Sequence, residues 1–279
     1  MTIQPITATE KESVAKLKAK LNDIKQAAQV PEGWPGMCTK KLLNSCNVLT
    51  HFHNTRTHRE SDLTKATQML TDTLIWRKDF GADHLLDEAI DDSILGSVSF
   101  IYKTDRQGRP VCYNFYGDID QEKVFGDKDK FIRWRVQVME RGVQLIDFVN
   151  TDSMVVIHDY KNAALFGRSS NAKAATKEII KIMQDNYPEF LAVKYFVNVP
   201  YWGSLIFKLV RPLLSEATTK KFVVCSNDEL YQSLTNSIDE ANLPNVYQKT
   251  KGKQSHEGSS SADMATSEAP VTDVPVNGK

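Results

Sequence analysis

The sequence lacks the signatures of most soluble enzymes. Neither GxGxxG nor GxxxxGK[ST] occurs, so no glycine loop is available to cradle a phosphate. No Gly-x-Ser-x-Gly elbow occurs either. His158 and Asp159 are chain neighbours, which on a strand point apart, so they do not begin a hydrolytic triad. Four cysteines, Cys38, Cys46, Cys112 and Cys225, are spread without a CxxC pair, and no apolar N-terminal segment is present. Together these predict a reducing, cytoplasmic environment. Apolar runs of about 18 residues are missing, so membrane contact is expected to be peripheral. Net charge is missing too: 35 Lys+Arg against 35 Asp+Glu argues for no nucleic acid. "HFHNTRTH" supplies His51, His53 and His58, but residues two apart on a helix do not face each other and no HExxH spacing follows.

What is there is an ordinary globular composition. Of 279 residues, 41% are hydrophobic and 25% charged, enough for one large domain or a small helical domain attached to a larger one. From Lys249 the chain is rich in Ser, Gly, Pro and charge and lacks aromatics, so residues 249–279 are expected to be disordered. The first third reads as helical. Thr9 and Glu12 form a capping-box pattern, and Val14, Leu17, Leu21 and Ile24 recur on one face. "PEGWPGM" breaks that pattern. Helices are expected over residues 40–52 and 61–78, the latter with a stripe of Leu63, Ala66, Met69, Leu70, Leu74 and Trp76. Residues 1–82 thus form an N-terminal helical region.

After Phe80 the pattern changes, and residues 83–248 read as an α/β domain. "SVSFIYK" and "PVCYNFYG" are β-rich runs joined by the turn "TDRQGR". A long helix over residues 127–148, the strand "SMVVIHDY", a helix over 172–185, the strand "LAVKYFVNVP", a helix over 202–214 and the strand "KKFVVCS" follow. Strands alternating with helices imply crossover connections and a largely parallel sheet.

Strand parity exposes an anomaly. His158 and Tyr160 share a face, as do Cys112, Asn114 and Tyr116, and as do Lys194, Phe196 and Asn198. A polar residue on one face of each neighbouring strand is what an ordinary core excludes, because a buried unpaired Lys or His costs several kcal/mol. These groups could partner one another or a ligand that fills a pocket.

The ordered pattern of "LIWRKDFG", "VIHDYK" and "DNYPEFLAVKYFVNVPYWGSLIFKLVRPLLSEATTKKFVV" resembles the CRAL-TRIO lipid-binding family of fungal phosphatidylinositol-transfer proteins, over roughly residues 40–245. The resemblance implies an N-terminal helical region, a sheet flooring a hydrophobic pocket, and a gating helix that touches membrane when open. The stretch "VPYWGSLIFKLVRPLL" would be that helix, with Lys208 and Arg211 suited to an anionic lipid surface. Within the family the chain is most similar to a divergent branch, the fifth homologue of the major transfer protein, whose members bind haem. Their axial tyrosine and its neighbouring histidine match Tyr160 and His158. Their remaining haem-pocket residues match Tyr116, Arg135 and Lys194.

The chemistry this implies is coherent. A phenol with an ordinary pKa near ~10 becomes an anionic ligand at neutral pH when it binds ferric iron beside a cation. Arg135 or Lys194 could supply that charge or pair with a propionate. His158 could hydrogen-bond the phenolate or lie on the iron. The resemblance therefore implies a non-enzymatic haem-binding protein, with haem b (Fe3+) held in the lipid-type pocket by Tyr160. Its alternative is phosphatidylinositol or other phospholipid binding and transfer, with Glu189 and Lys221 matching headgroup-associated residues of the family. A peroxidase- or catalase-like enzyme is a third reading, for which no distal acid-base residue is identifiable. Cytoplasm and the endoplasmic reticulum or microsomal surface are the implied locations.

Overall fold

The computed structural model of the chain describes residues 7–31, 63–90, 92–163, 169–200, 219–225 and 227–248. The expected helices over 40–52 and 202–214, the three histidines His51, His53 and His58, and the tail from Lys249 lie outside the described residues.

Helix α1 (Ala8–Ala19) begins two residues earlier than the Thr9/Glu12 pattern predicts. Thr7 is its N-cap, accepting from the Glu10 amide at 3.2 Å, while Glu10 accepts from the Thr7 amide at 2.8 Å. Two overlapping T-x-x-E patterns compete here. The earlier one caps the helix, and Glu12 instead pairs with Lys16 at 2.7 Å. Lys20 separates α1 from α2 (Leu21–Ala27), and Val14, Leu17 and Ile24 are buried along the two. Helix α3 (Leu63–Phe80) buries the expected Ala66, Met69, Leu70 and Leu74. Trp76 is only partly buried, stacked on Phe80 with centroids 5.1 Å apart. The stripe is completed instead by Thr73 and Arg77.

Arg77 is the largest surprise in this region. Its guanidinium is buried between Glu140 (2.8 Å) and Asp83 (2.9 Å), and the Tyr187 hydroxyl donates to the same Glu140 carboxylate. A buried arginine must be paired in this way, and the pairing ties α3 to the body of the molecule.

Helix α4 (Asp92–Val98) leads into strand β1 (Ser99–Thr104), which pairs antiparallel with β2 (Pro110–Phe115). The connecting turn is set by Asp105, whose carboxylate accepts from the amides of Gln107 (2.9 Å) and Arg109 (2.8 Å). Gly108 supplies the left-handed φ of 79° that the turn requires. Helices α5 (Gln121–Phe125) and α6 (Lys128–Leu145) carry the chain to β3 (Met154–Asp159). Helix α7 (Ser170–Asn186) leads to β4 (Leu191–Val197); β5 (Phe222–Val224) and α8 (Leu230–Ser237) follow. The five strands lie in chain order, with β2 through β5 parallel, so the sheet is largely parallel as the alternation of elements implied.

Two apolar clusters clasp the sheet. On one face, Cys112 and Met154 join residues of α1, α2, α3, α6 and α7. On the other, Val111, Tyr113, Val155, Ile157, Tyr195 and Val197 pack on Leu234, Ile238, Leu243 and Tyr247. Helix α6 closes tightly on β3 at Gly142, where an added Cβ would lie 2.5 Å from Met154 Cε. Among the described residues no helix is long and apolar enough to cross a membrane.

Candidate functional site

The β3 and β4 side chains alternate sharply in exposure. Val155, Ile157, Asp159, Tyr195 and Val197 are buried, whereas Val156, His158, Tyr160, Lys194 and Phe196 keep accessible surface. The registers Asn114↔His158↔Phe196 and Val156↔Lys194↔Phe222 set the second group in adjacent rows of one face. His158 and Lys194 nevertheless sit deep enough for desolvation to dominate their titration. Partial exposure at that depth leaves this face, the floor of the candidate site, open to a ligand.

Beyond the carboxyl ends of β2 and β3 the chain places its phenols. The Tyr116 ring lies 5.1 Å from His158 and 5.4 Å from Tyr160, centroid to centroid. Tyr160 stacks on Phe196 at 6.4 Å with 12° between planes, and its hydroxyl is 3.4 Å from His158 Nδ1. The carboxyl edge of a parallel sheet is where open α/β folds bind ligands. Local hydrogen bonds hold both tyrosines. The Tyr116 amide donates to the Asp159 carbonyl at 2.9 Å, and the Tyr160 amide to the Val197 carbonyl at 3.1 Å. Gly117 abuts the Lys161 carbonyl so closely that a Cβ would overlap it at 1.4 Å. The Asn162 side chain donates to Asp118 at 2.6 Å.

Arg135 reaches the same space from α6. It lies on the helix face of Val138 and Gly142, at i, i+3 and i+7, and so points at the sheet. Its guanidinium donates to the Ser99 hydroxyl, which donates to Asn114 (3.0 Å), whose amide donates to the Ile157 carbonyl (3.2 Å). Asn114 is therefore a fully bonded support, not a ligand group. Asn198 departs from the parity reading. It follows β4 with a left-handed φ of 52°, and its side chain turns to Asp159 at 2.8 Å.

The electrostatics are one-sided. Burial, then Lys194, then Arg135 push the His158 imidazole well below its ordinary value, so it is neutral at pH 7. Lys194 is pushed down to about 7 by burial and then by Arg135, with Cys112 opposing. Among the described residues no carboxylate forms an ion pair with Arg135 or Lys194. The Lys194 ammonium lies instead over the rings of Phe196 (5.4 Å) and Phe222 (5.6 Å). Among the described residues, two basic groups without a paired carboxylate suit this floor to an anion.

Tyr116, Arg135, His158, Tyr160 and Lys194 are thus brought together. Glu189 and Lys221 are joined elsewhere, by a 2.6 Å ion pair. Each precedes its strand: Glu189 stands roughly 30 Å of strand from the phenols, whereas Lys221, whose carbonyl accepts from the Lys194 amide at 2.9 Å, stands only about 16 Å from them at about 3.3 Å per residue. Ser99, Cys112, Phe196 and Phe222 complete the floor. Parity could have found all but Ser99, whose role depends on where Arg135 points.

The sequence profile of the CRAL/TRIO domain matches residues 96–248. The phosphatidylinositol transfer protein SFH5 of Kluyveromyces lactis is 40% identical over 168 residues, covering 58% of this chain and 57% of the relative. Patellin-6 of Arabidopsis thaliana is 32% identical over 259 residues, covering 88% of this chain and 60% of the relative. The chain thus spans about three fifths of the length of these two relatives. The crystal structure of Sfh5 superposes with a TM-score of 0.71 at 25% identity, covering 88% of this chain and 96% of that one.

Proposed function

The chain belongs to the CRAL/TRIO domain family, and from that premise we propose that it binds ferric haem b on the sheet floor, with the Tyr160 phenolate as axial ligand. The observation that carries this reading is the unbalanced pair of cations, Arg135 and Lys194, beside two phenols and a neutral imidazole on an accessible face. The donor set fits the group. A porphyrin supplies four nitrogens itself, so one protein oxygen suffices and a cluster of three ligating side chains is not needed. A phenolate needs neighbouring positive charge, which Arg135 supplies. Propionates need cationic donors, and Lys194 and Arg135 are both available. His158, held neutral, can donate from Nδ1 to the phenolate at the observed 3.4 Å approach when that contact tightens. When bound, haem supplies a ferric centre that an anionic oxygen donor favours over the ferrous state.

The test is optical. Purified full-length protein is expected to show a haem absorption band and bound iron, and Tyr160→Phe is expected to lose or shift that band. Colourless wild-type protein, or an unchanged spectrum in Tyr160→Phe, would refute haem ligation by Tyr160.

Phosphatidylinositol binding and transfer between membranes is the second reading, favoured by the Glu189–Lys221 pair and by the names of the fungal relatives. The Lys221 backbone adjoins Lys194, but its side chain is turned away to Glu189, so the two readings are separable by side-chain substitution. Lys221→Ala should reduce extraction of phosphatidylinositol from vesicles and leave the haem band unchanged. With either reading we propose a cytoplasmic protein with transient contact at the endoplasmic reticulum surface.

A further inference from the structure

Several partly buried lysines among the described residues have oxygen partners: Lys78 donates to the Ala28 carbonyl (3.0 Å), Lys128 to Glu178 (2.8 Å) and Lys221 to Glu189 (2.6 Å). Lys194 differs. Its nitrogen faces the rings of Phe196 and Phe222 from β4 and β5, with the Arg135 guanidinium opposing it from α6. An amine attacks carbon only when its lone pair is free of a proton. Desolvation and a neighbouring fixed cation are the two means by which proteins free it. Both operate here, on a side chain that keeps accessible surface on the cavity floor.

We propose that Lys194 condenses reversibly with long-chain aliphatic aldehydes that enter the cavity, forming a protein-bound imine. The nitrogen lone pair adds to the carbonyl carbon, and the carbonyl π pair moves to oxygen. Proton transfer from the new ammonium to that oxygen gives a carbinolamine. Loss of its hydroxyl and the remaining nitrogen proton as one water forms the C=N bond. Amine and aldehyde become imine and water, with no oxidant or reductant consumed. Arg135, whose charge acts on the same nitrogen, would stabilise the transient alkoxide. The alkyl chain follows from Phe196 and Phe222, over whose rings the amine lies, and from Val156 beside it in register, which together offer an apolar surface next to the nitrogen.

The inference needs the floor to border a cavity open to amphiphiles, and it does not need iron. Haem seated on the floor would compete with the aldehyde for the same space. Two haem-free samples are therefore used: full-length Tyr160→Phe and wild type, each freed of any haem by solvent extraction. Each is mixed with equimolar dodecanal and sodium cyanoborohydride at pH 7.5, then read by intact mass and peptide mapping. An exposed lysine is neutral in only about one part in a thousand at that pH, whereas the lowered value of Lys194 leaves a far larger share of it neutral. Lys194 should therefore carry at least about tenfold more alkyl adduct than any other lysine. Lys194→Arg, which keeps a long basic side chain but offers no free amine, should lose that adduct and leave the scattered surface labelling in place. Acetaldehyde, lacking a chain, should label without this preference. If neither haem-free sample labels Lys194 above the surface lysines, the proposal fails. Failure of the haem reading looks different: colourless wild type that labels Lys194 overturns haem and leaves the imine standing. Coloured wild type that resists labelling, beside haem-free samples that accept it, supports both.

Discussion

Replacing Lys194 by Met should stabilise the ligand-free protein at neutral pH, although it removes a hydrogen-bonding group. The folded state holds the Lys194 proton less tightly than the unfolded chain does, about 7 against 10.5. Between those values the unfolded chain binds more protons, so wild-type stability rises with pH through that window. Below about pH 7 the folded ammonium is charged and its full penalty is present. At about 1.36 kcal/mol per pH unit the gap is worth at most ~4.8 kcal/mol. The side chain keeps accessible surface, so solvent screening removes roughly half or more, leaving about 2 kcal/mol. Met matches the stem length, adds apolar contact with Phe196 and Phe222, and carries no charge. Urea unfolding of stripped wild type and Lys194→Met at pH 6.5 and 9 measures the difference. The variant should be more stable by about 2 kcal/mol at the lower pH and by about half that or less at the higher. Other groups face the amine: Arg135 from α6, Cys112 from β2 and His158 from β3. Arg135 and Cys112 are present in both proteins, and His158 is itself pushed down by Lys194, so the variant also relieves part of the His158 penalty at the lower pH, with the same sign. A less stable variant at pH 6.5, or an advantage that does not change with pH, would refute the picture of an unpaired cation on a desolvated floor.

Three further outcomes are expected. Gly117→Ala should destabilise by more than about 2 kcal/mol and loosen the tyrosine loops, because its Cβ would occupy the Lys161 carbonyl. A melting temperature and ligand affinity equal to wild type would show that the loops are not interlocked. Glu140→Gln leaves Arg77 buried with only part of its counter-charge and should cost about 3–5 kcal/mol by urea unfolding. By contrast Lys16→Ala, at an exposed pair, should stay within about 0.5 kcal/mol; equal losses would put the Arg77 network at the surface. Asp159→Asn should cost about 2 kcal/mol, since its carboxylate accepts from the Lys161 amide, Asn198 and Tyr247, and an amide nitrogen cannot accept. Stability matching wild type would mean that Asn198 and Tyr247 find other partners.

The alternation of strands and helices was legible because it is carried by runs of neighbouring residues, and the hairpin, α6, β3, α7, β4 and β5 appear where those runs lie. The capping residue was not, because two T-x-x-E patterns overlap and either satisfies the local rule. Arg77 gave no local signal: on a helix an arginine every few residues is ordinary, and only Glu140 and Asp83, distant from it or from each other in sequence, make its burial tolerable. Helices α4, α5 and α8 are short, and their apolar positions become a stripe only once the sheet offers a surface to cover.

The site divides along the same line. Parity places His158 and Lys194 on one face because period-two alternation survives wherever the strand does, and the registers of β3 and β4 carry it across the sheet. At Asn198 it fails, because the strand has ended and a positive φ swings the side chain to Asp159 on the opposite face. Tyr116 and Tyr160 also lie past their strands' ends, yet they keep the parity. The difference is physical. Each tyrosine amide still donates to the neighbouring strand, to Asp159 and to Val197, so the ladder continues one residue beyond the regular strand. Side-chain direction follows the backbone hydrogen bond, not the strand's nominal limit. A phenol at such a position is aimed as rigidly as a strand residue but stands at the open carboxyl edge, where a ligand can reach it.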